Sequence, residues 1–277
     1  MKLSSSYKFI IHDLKKIESE LLNIVQAEHP VLRSASTQLL IAGGKRIRPV
    51  FVLLSAKFGN YDVERVKYVA VAHELMHMAS LVHDDVLDRA TTRRGKETVN
   101  TKWDNKIAMY TGDYIFARSL EYLSNVTNSR AHKILSNTMV ELCLGEIEQL
   151  HDQYNVNQNL RNYLRRIRRK TALLIASSCR LGAITANVEP KYERALHKYG
   201  YYVGMSYQII DDILDFTSTE KELGKPAGSD LFQGNITLPV LYKYSDPEFK
   251  QKLENLFQNP NQITKEEMDE LVQEVKH

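Results

Sequence analysis

The sequence predicts an all-α protein of one domain with about ten or more helices. Glycine and proline are sparse, at 12 and 7 residues, and they cluster, which leaves long uninterrupted segments between the clusters. Within these segments apolar residues recur three and four positions apart, as on one face of a helix. No segment alternates between apolar and polar residues in the manner of a hairpin. The clearest helical segments are residues 63–82, 131–150 and 163–181.

The composition is that of an ordinary soluble globular protein, with 43% hydrophobic and 26% charged residues among 277. The formal net charge of +3, from 37 basic and 34 acidic residues, argues against a nucleic-acid-binding protein. Cys143 and Cys179 form no CxxC pair, which favours a reducing compartment over a disulfide scaffold. Because neither a signal peptide nor a membrane-spanning apolar stretch is visible, the sequence predicts a cytosolic protein.

One short motif suggests a zinc protease. His73, Glu74 and His77 match HExxH, and His83 stands where a longer metalloprotease motif has its third ligand. That longer motif needs a glycine turn, but its position holds Ser80. In a continuing helix, ten residues at about 100° each leave His83 roughly 80° from the direction of His73. We therefore regard a zinc site as an alternative that the sequence does not favour.

Two aspartate motifs suggest magnesium chemistry instead. Asp84 and Asp88 are four residues apart, and Asp211 and Asp215 repeat that spacing. Residues four apart lie about 40° from each other around a helix, so each pair shares a face. Carboxylates in pairs suit Mg²⁺, which prefers one or two of them together with substrate phosphates and water. One such pair could be a solvated helix face, whereas two copies on apolar helices indicate a metal–diphosphate site.

Basic residues accompany the aspartate motifs. They lie in GGKRIRP (residues 43–49), in RRG (93–95), at Lys170-Thr171 and in GKPAGSD (224–230). Arginine recognises phosphate through paired hydrogen bonds and lysine as a point charge. Each basic residue alone is more often a solvated surface group, so the co-occurrence carries the prediction. In the run RNYLRRIRRK (161–170) we expect most arginines to be solvated or to contact a partner, with Lys170 alone in the site.

The order of these motifs resembles that of a known family. GGKRIRP, HDDVLD with RRG, RKTA, MSYQIIDDILDF, GKPAGSD and GNITLP span residues 43–239. They are similar to the motifs of the trans-prenyl diphosphate synthases. The resemblance implies the isoprenoid synthase fold, a helical bundle around a central cavity with the two aspartate motifs facing each other at its mouth. It also implies Mg²⁺ as the cofactor and prenyl transfer to isopentenyl diphosphate as the reaction.

The resemblance also implies roles for individual residues. The residues expected to bind isopentenyl diphosphate are Lys45, Arg48, His77 and Arg94. Those expected to bind the allylic diphosphate are Arg93, Lys170, Thr171, Gln208 and Lys225. The expected direct metal ligands are Asp84, Asp88 and Asp211, with Asp212 and Asp215 in support through water or a second layer of contacts. The catalytic set is expected to be Asp84, Asp88, Asp211, Lys170 and Arg93.

Product length can be predicted from the residues that precede the first aspartate motif. The growing chain is expected to run along the helix from Asp84 past Ser80, Ala79, Met76 and His73. One helical turn is about 5.4 Å, near the length of one isoprene unit. An aromatic residue one turn before Asp84 would close the cavity early, but Ser80 and Ala79 are small. We therefore expect a long product, beyond four isoprene units. The resemblance described above implies that this product is heptaprenyl diphosphate, for quinone (menaquinone) side chains.

Within the family, the resemblance is closest to the catalytic large subunit of two-component synthases. It implies a small non-catalytic partner subunit, a homodimer, or both, with no nucleic acid and no transmembrane segment. It also implies one polyprenyl synthase domain over residues 1–277, with a C-terminus shorter than is usual. Terpene cyclases remain an alternative because they share the first aspartate motif, although DDILD (211–215) favours chain elongation. A non-catalytic helical subunit is a third class, whose members lack the aspartate motifs.

Overall fold

Helices account for almost all regular structure in the computed structural model, which describes residues 5–218 and 227–276. The helices are α1 Ile11–Ile24, α2 Pro30–Ile41, α3 Ile47–Ala56, α4 Val63–Leu87, α5 Val99–Lys102, α6 Asn105–Leu123, α7 Ser129–Asp152, α8 Leu160–Ile167, α9 Leu173–Thr185, α10 Pro190–Thr217, α11 Ser229–Phe232, α12 Leu238–Lys243, α13 Pro247–Phe257 and α14 Lys265–Lys276. The all-α prediction is confirmed. The described exception is a hairpin of β1 Thr92–Arg93 and β2 Lys96–Glu97, paired antiparallel.

Two departures from α geometry interrupt this pattern. Short 3₁₀ segments cover Ser5–Ile10 and Pro260–Gln262. A π-helical turn, Arg168–Ala172, joins α8 to α9. Single π turns inside helices often occur at functional sites. This one contains the RKTA motif.

The chain divides into two compact units. The first comprises Met1–Asn137 and Ile175–Gly200, and the second Thr138–Leu174 and Tyr201–His277. The first unit contains GGKRIRP, the first aspartate motif and the hairpin, whereas the second contains RKTA and the second aspartate motif. One polyprenyl synthase domain over the whole chain stays a prediction.

Helix α4 is the central element of the first unit. It begins after Asp62, whose carboxylate accepts a hydrogen bond from the backbone N–H of Glu64 at 3.0 Å. Such a cap satisfies one of the free N–H groups at a helix start. Apolar residues surround most of the helix axis because α4 packs against α1, α3 and α6. Charged groups in its middle are therefore candidates for function, since burying them is costly unless they are paired.

The second unit has an apolar core at the end of α10. From α10, Phe216 contributes its side chain to this core and is 2% exposed. The core also contains side chains from α11, α12, α13 and α14. The other members are Leu231, Ile236, Val240, Phe249, Leu253, Phe257, Met268, Leu271 and Val272. Burying a large apolar side chain contributes about 1.5–3 kcal/mol. This core therefore fixes the segment of α10 that carries DDILD.

Among the residues that the structure describes, no helix combines the length and apolar character that a bilayer span requires.

Candidate active site

The β1–β2 hairpin places two arginines beside the end of α4. Arg94 and Gly95 form its turn with φ angles of 54° and 73°, and positive φ at both positions is what a type I′ turn requires. The left-handed conformation costs a non-glycine residue roughly 1–2 kcal/mol, so the surrounding contacts must hold Arg94 there. Arg93 Nε donates to Asp85 Oδ1 at 2.7 Å. Asp85 is buried, and its pKa is raised by burial against the opposing effect of Arg93.

The glycine-rich loop before α3 lies against this hairpin. A Cβ at Gly44 would lie 2.7 Å from Arg94 Nη1 and 3.0 Å from Arg46 Nη1, so only glycine fits without displacing the guanidinium groups. Arg46 is buried, and its Nη1 lies 3.5 Å from Oε1 of the buried Glu74 on α4. Arg46 Nε also donates to the more exposed Glu18 at 3.2 Å. The loop, the hairpin and α4 thus meet through charged groups.

His77 lies among cations in the same unit. Burial lowers its pKa well below 6.5, and Arg48 and Arg94 lower it further, followed by smaller effects of His73 and Arg93. The side chain keeps some surface exposure, which leaves it accessible to a ligand. A neutral imidazole beside two guanidinium groups can donate one N–H to an anion without adding charge. Arg48, His77 and Arg94 are therefore brought together, whereas Lys45 is exposed in the loop that leads into α3.

The zinc-protease interpretation of HELMH does not fit this geometry. His73 Nε2 forms a 2.6 Å hydrogen bond with Ser177 Oγ, and Glu74 is paired with a buried arginine. Helix α4 continues without a turn, and His83 Nε2 lies 3.3 Å from Asp113 Oδ1. Over the residues that the structure describes, no three or more His, Cys, Asp or Glu side chains are grouped to hold a metal ion.

His73 should make the stability of the protein depend on pH. Burial is the main cause that lowers its pKa from 6.5 to about 3, with Arg48 contributing. The unfolded chain therefore takes up a proton that the folded chain excludes, and stability falls as the pH drops below 6.5 towards 3. At pH 5 the expected contribution is a loss of about 2 kcal/mol relative to neutral pH.

Urea unfolding at neutral pH and at pH 5 measures this loss. His73→Gln should lose less stability over that interval than the wild type does. His151→Gln is the matched control, because the His151 side chain is 84% exposed. Equal pH dependence in all three proteins would contradict the role assigned to His73.

The first aspartate motif lies at the C-terminal end of α4. Asp84 and Asp88 are one turn apart and partly exposed, and Asp88 is the residue at which the helix ends. The donor chemistry fits Mg²⁺, because two hard carboxylates leave positions for diphosphate oxygens and water. Asp85 between them faces Arg93 and is already engaged. The partly exposed carboxylates of Asp84 and Asp88 have the chemistry to hold a divalent ion together with a bound diphosphate.

The second aspartate motif, in the second unit, contains an exposed and a buried carboxylate side by side. Asp211 is exposed on α10. Asp212 is buried and accepts hydrogen bonds from Tyr163 Oη at 2.7 Å and Gln208 Nε2 at 2.8 Å. Burial raises the pKa of Asp212 to about 6, opposed by these two hydrogen bonds. Thr171 Oγ1 donates to Gln208 Oε1 at 2.6 Å, which links the RKTA motif to this motif.

Asp215 is also engaged by its own unit. Ser229 Oγ donates to Asp215 Oδ1 at 3.0 Å, and the backbone N–H of Asp230 donates to Oδ2 at 3.3 Å. Both oxygens thus tie the end of α10 to the start of α11. A carboxylate held in this way is better placed to orient neighbours than to bind a metal directly. Lys225, predicted to bind the allylic diphosphate, lies outside the described residues.

Lys170 projects from the π turn into a polar setting. Its Nζ donates to Glu146 Oε2 and to Gln149 Oε1, both at 3.1 Å, from α7. The predicted site lysine is therefore oriented by an acidic and an amide group of the same unit.

The other arginines of the 161–170 run differ in exposure: Arg161 and Arg165 are exposed, Arg168 and Arg169 are partly exposed, and one is buried. Arg166 is buried, where it donates to Gln158 Oε1 at 2.7 Å and to the carbonyl oxygen of Ile236. The arginines at 165, 168 and 169 form ion pairs with Glu141 and Glu148. The expectation of a mostly solvated or partner-facing run is wrong for Arg166, because its helix turns it inward towards backbone carbonyls.

Sequence reasoning missed several partners of the site residues. The HExxH motif suggested Glu74 as the base of a zinc site, but its carboxylate forms an ion pair with Arg46. Asp85 was visible as the middle aspartate of HDDVLD, without a signal that it would face Arg93. Tyr163 carried no signal, because a tyrosine in an arginine-rich helix resembles any core aromatic residue.

The residues predicted to set product length follow one another on α4. Met76 and Ala79 are buried at 2% exposure each, and Ser80 is partly exposed. Ser80 Oγ donates to the backbone carbonyl of His77 at 2.8 Å, which turns the hydroxyl towards its own helix. This surface of α4 between His73 and the aspartate pair therefore presents small or flexible side chains.

Comparison with known proteins assigns the family. The profile of the polyprenyl synthetase family matches residues 29–275. The chain belongs to this family. This polyprenyl synthetase is 58% identical over 276 residues to heptaprenyl diphosphate synthase component 2 of Bacillus subtilis (strain 168), covering 100% of this chain and 78% of that one. It is 62% identical over 250 residues to component 2 of Geobacillus stearothermophilus, covering 90% and 78%.

Solved structures of the family confirm the isoprenoid synthase fold. The polyprenyl synthetase superimposes on heptaprenyl diphosphate synthase from Staphylococcus aureus with a TM-score of 0.93 at 46% identity, covering 100% of this chain and 85% of that one. It superimposes on a polyprenyl synthase from Caulobacter crescentus, solved with calcium and isoprenyl diphosphate, with a TM-score of 0.92 at 29% identity, covering 98% and 83%. These comparisons support neither the zinc-protease nor the terpene-cyclase alternative.

Proposed function

We propose that this polyprenyl synthetase adds isopentenyl diphosphate units in trans to an allylic diphosphate such as farnesyl diphosphate. The proposed product is heptaprenyl diphosphate, destined for quinone (menaquinone) side chains. One observation carries the proposal: the cluster of Arg48, His77 and Arg94 lies on the same unit as the aspartate pair at the end of α4. High identity to two proteins named heptaprenyl diphosphate synthase component 2 supports the product class.

The cation cluster is the proposed binding site for isopentenyl diphosphate. Arg48 and Arg94 would each present a planar guanidinium to the diphosphate oxygens, a geometry that allows paired hydrogen bonds. His77, neutral because its pKa is lowered, would donate a single N–H. Lys45, exposed at the loop, would supply a mobile ammonium group at the entrance.

The allylic diphosphate is the proposed ligand of a second basic set. Arg93, held by Asp85, would approach it from the hairpin. Lys170, Thr171 and Gln208 would approach it from the π turn and α10. Lys225 completes the proposed set. The carboxylate and amide partners of Lys170 would keep its ammonium oriented while the diphosphate is absent.

Ionisation of the allylic substrate is the proposed first chemical step. Magnesium, when bound, would neutralise the negative charge of the departing diphosphate. Asp84, Asp88 and Asp211 are the proposed direct ligands, with Asp212 and Asp215 orienting the segment around them. Arg93 and Lys170 would stabilise the charge that develops on the leaving group. The calcium and isoprenyl diphosphate of the Caulobacter crescentus structure support a divalent metal with a diphosphate in this family.

Bond formation completes the proposed cycle. The double bond of isopentenyl diphosphate attacks the allylic cation and forms the new carbon–carbon bond. A proton then leaves to the released diphosphate, which regenerates an allylic diphosphate one unit longer. The apolar side chains of α4 would exclude water that could otherwise trap the cation.

Product length gives a direct test of the path along α4. Ala79→Tyr should shorten the longest product, because an aromatic ring one turn before the aspartate pair would fill the path of the chain. Chromatography of dephosphorylated products measures the change. Ala79→Ser is the matched control and should leave the product distribution unchanged. Thermal unfolding of both variants separates blocked elongation from overpacking, which costs typically about 1–3 kcal/mol at a buried site. An unchanged ladder in folded Ala79→Tyr would refute the path.

A partner subunit belongs to the proposal as well. The names of both component 2 relatives support a heteromer with a small non-catalytic subunit, a component 1. A homodimer of this chain, alone or within that heteromer, is the second proposed assembly. Size-exclusion chromatography with light scattering, of this protein alone and mixed with a candidate small subunit, distinguishes these assemblies.

Incubation with Mg²⁺, farnesyl diphosphate and radiolabelled isopentenyl diphosphate tests the reaction itself. Assays run with and without the small subunit. A product ladder that ends at the heptaprenyl chain only with the partner supports both the reaction and the heteromer. Absence of incorporation in both assays would overturn the proposed function.

A further inference from the structure

The first unit carries an exposed apolar groove whose lining includes no residue of the aspartate motif. The groove has a volume of about 520 Å³ and lies between the 3₁₀ segment Ser5–Ile10, α3 and α10. Four of its lining rings are largely exposed: Phe9 at 64%, Phe58 at 64%, Tyr192 at 47% and Tyr199 at 57%. Single exposed apolar side chains are ordinary, but a contiguous group marks a surface that contacts something.

The part of α10 beside the groove carries an apolar stripe next to a basic stripe. Tyr192, Ala195, Leu196 and Tyr199 line the groove at positions i, i+3, i+4 and i+7, so they form one stripe. Three exposed basic residues form the neighbouring stripe on the solvent side: Lys191, Arg194 and Lys198. At about 100° per residue these basic positions lie within roughly 60° of one another. An apolar stripe bordered by a basic stripe results.

The acidic residue within this stretch of α10 is engaged elsewhere, while Glu189, just before the helix, is exposed. Glu193 is buried, and its carboxylate accepts Arg130 Nη2 at 2.8 Å and Arg180 Nε at 3.0 Å. At the opposite rim of the groove, Lys57 lies 3.8 Å from Asp13 and sits over the ring of Tyr61. The charge presented outward along α10 is therefore positive.

We propose that this groove and its basic stripe dock on an anionic lipid bilayer surface. Helices that lie in the interface of a bilayer combine an apolar face with lysine and arginine on the polar side. Tyrosine suits such a position because its ring is apolar and its hydroxyl remains hydrated. The basic stripe complements the negative potential of anionic headgroups, which a neutral apolar partner would not require. The docking surface is independent of the proposed reaction, since it lies on residues without a role in that reaction.

Vesicle co-sedimentation tests the docking surface. The full chain is incubated with vesicles of phosphatidylcholine alone or of phosphatidylcholine mixed with phosphatidylglycerol, at low and high salt. Binding to the anionic vesicles, weakened by salt, is expected. The triple variant Lys191→Gln, Arg194→Gln, Lys198→Gln should bind them about 100-fold more weakly, given about fivefold per basic residue near such a surface. The pair Phe58→Ser and Tyr199→Ser should also weaken binding, because it removes the apolar anchor.

A matched control removes the same charge elsewhere on the unit. Lys102→Gln, Lys106→Gln, Lys133→Gln changes three exposed lysines outside the groove and should bind as the wild type does. Equal weakening in the two triple variants would overturn the proposal, because only net charge would matter. Absence of vesicle binding would also overturn the proposal. So would self-association of the wild type that the Phe58 and Tyr199 substitutions abolish, because the groove would then bind a second copy of this chain. Prenyl transfer by the variants, measured in detergent, reports separately on the proposed reaction.

Discussion

Asp84→Asn is expected to lower kcat by about 100- to 1,000-fold, the loss typical when one electrostatic stabiliser of a transition state is removed. The amide keeps the size of the side chain but gives up the charge that would hold a divalent ion at the end of α4. The KM for isopentenyl diphosphate should change little, because Arg48, His77 and Arg94 remain in place. Steady-state kinetics at several Mg²⁺ concentrations measure both parameters.

The matched control for Asp84→Asn is Asp269→Asn. Asp269 is an exposed carboxylate on α14, so its loss should leave kcat and KM unchanged. A raised KM for isopentenyl diphosphate with an unchanged kcat in Asp84→Asn would contradict the assignment, because Asp84 would then serve substrate binding and not ionisation.

Glu74→Leu is expected to destabilise the fold by about 3 kcal/mol, in the range found when one member of a buried ion pair is removed. Its partner Arg46 is buried at 6% exposure and would keep only the half-exposed Glu18 and the carbonyl oxygen of Leu40. Glu74 Oε2 is buried without a hydrogen-bond partner. Burial of this carboxylate therefore costs desolvation free energy, which its ion pair with Arg46 offsets. Urea unfolding at neutral pH measures the change.

The double variant Arg46→Met, Glu74→Leu separates pairing from packing. Most of the lost stability should return, because replacing both buried charges by apolar side chains is often neutral or stabilising. Glu18→Gln is the milder control, since its side chain is 50% exposed and surface pairs contribute about 0–1 kcal/mol. If the double variant is as unstable as the single one, the loss comes from packing around residue 74 and not from the stranded Arg46.

Local sequence patterns were sufficient to predict the helices and the aspartate pairs. The four-residue spacing of Asp84 and Asp88 determines a shared helix face whatever the rest of the chain does. Contacts over long sequence separations were not predictable in this way. Nothing near Arg46 in the sequence indicates a partner 28 residues away at Glu74. The π turn escaped prediction for a related reason, since one extra residue in a helical turn leaves the apolar spacing of Tyr163–Leu181 almost unchanged.

The sequence also did not predict the direction in which individual side chains point. The sequence alone does not distinguish the three aspartates of the first motif, Asp84, Asp85 and Asp88. In the helix, Asp85 points inward and accepts a hydrogen bond from Arg93. Arg166 likewise faces the backbone of Ile236, while Arg165 pairs with Glu148 at the surface. A helical wheel gives these directions only when the buried side of the helix is known, and that side is set by tertiary packing.

The hydrogen bonds around Gln208 restrict which amino acids its neighbourhood can accept. Thr171 donates a hydrogen bond to the amide oxygen of Gln208, and the amide nitrogen donates one to Asp212. Asp212 also accepts a hydrogen bond from the hydroxyl of Tyr163. The chain of donors thus has one polarity, from hydroxyl to carboxylate. A glutamate at 208 would remove the donor of the middle hydrogen bond and face Asp212 as a second acid, whereas serine at 171 would keep the hydroxyl donor to residue 208. A substitution at one of these four positions should therefore require a compatible residue at its hydrogen-bond partner.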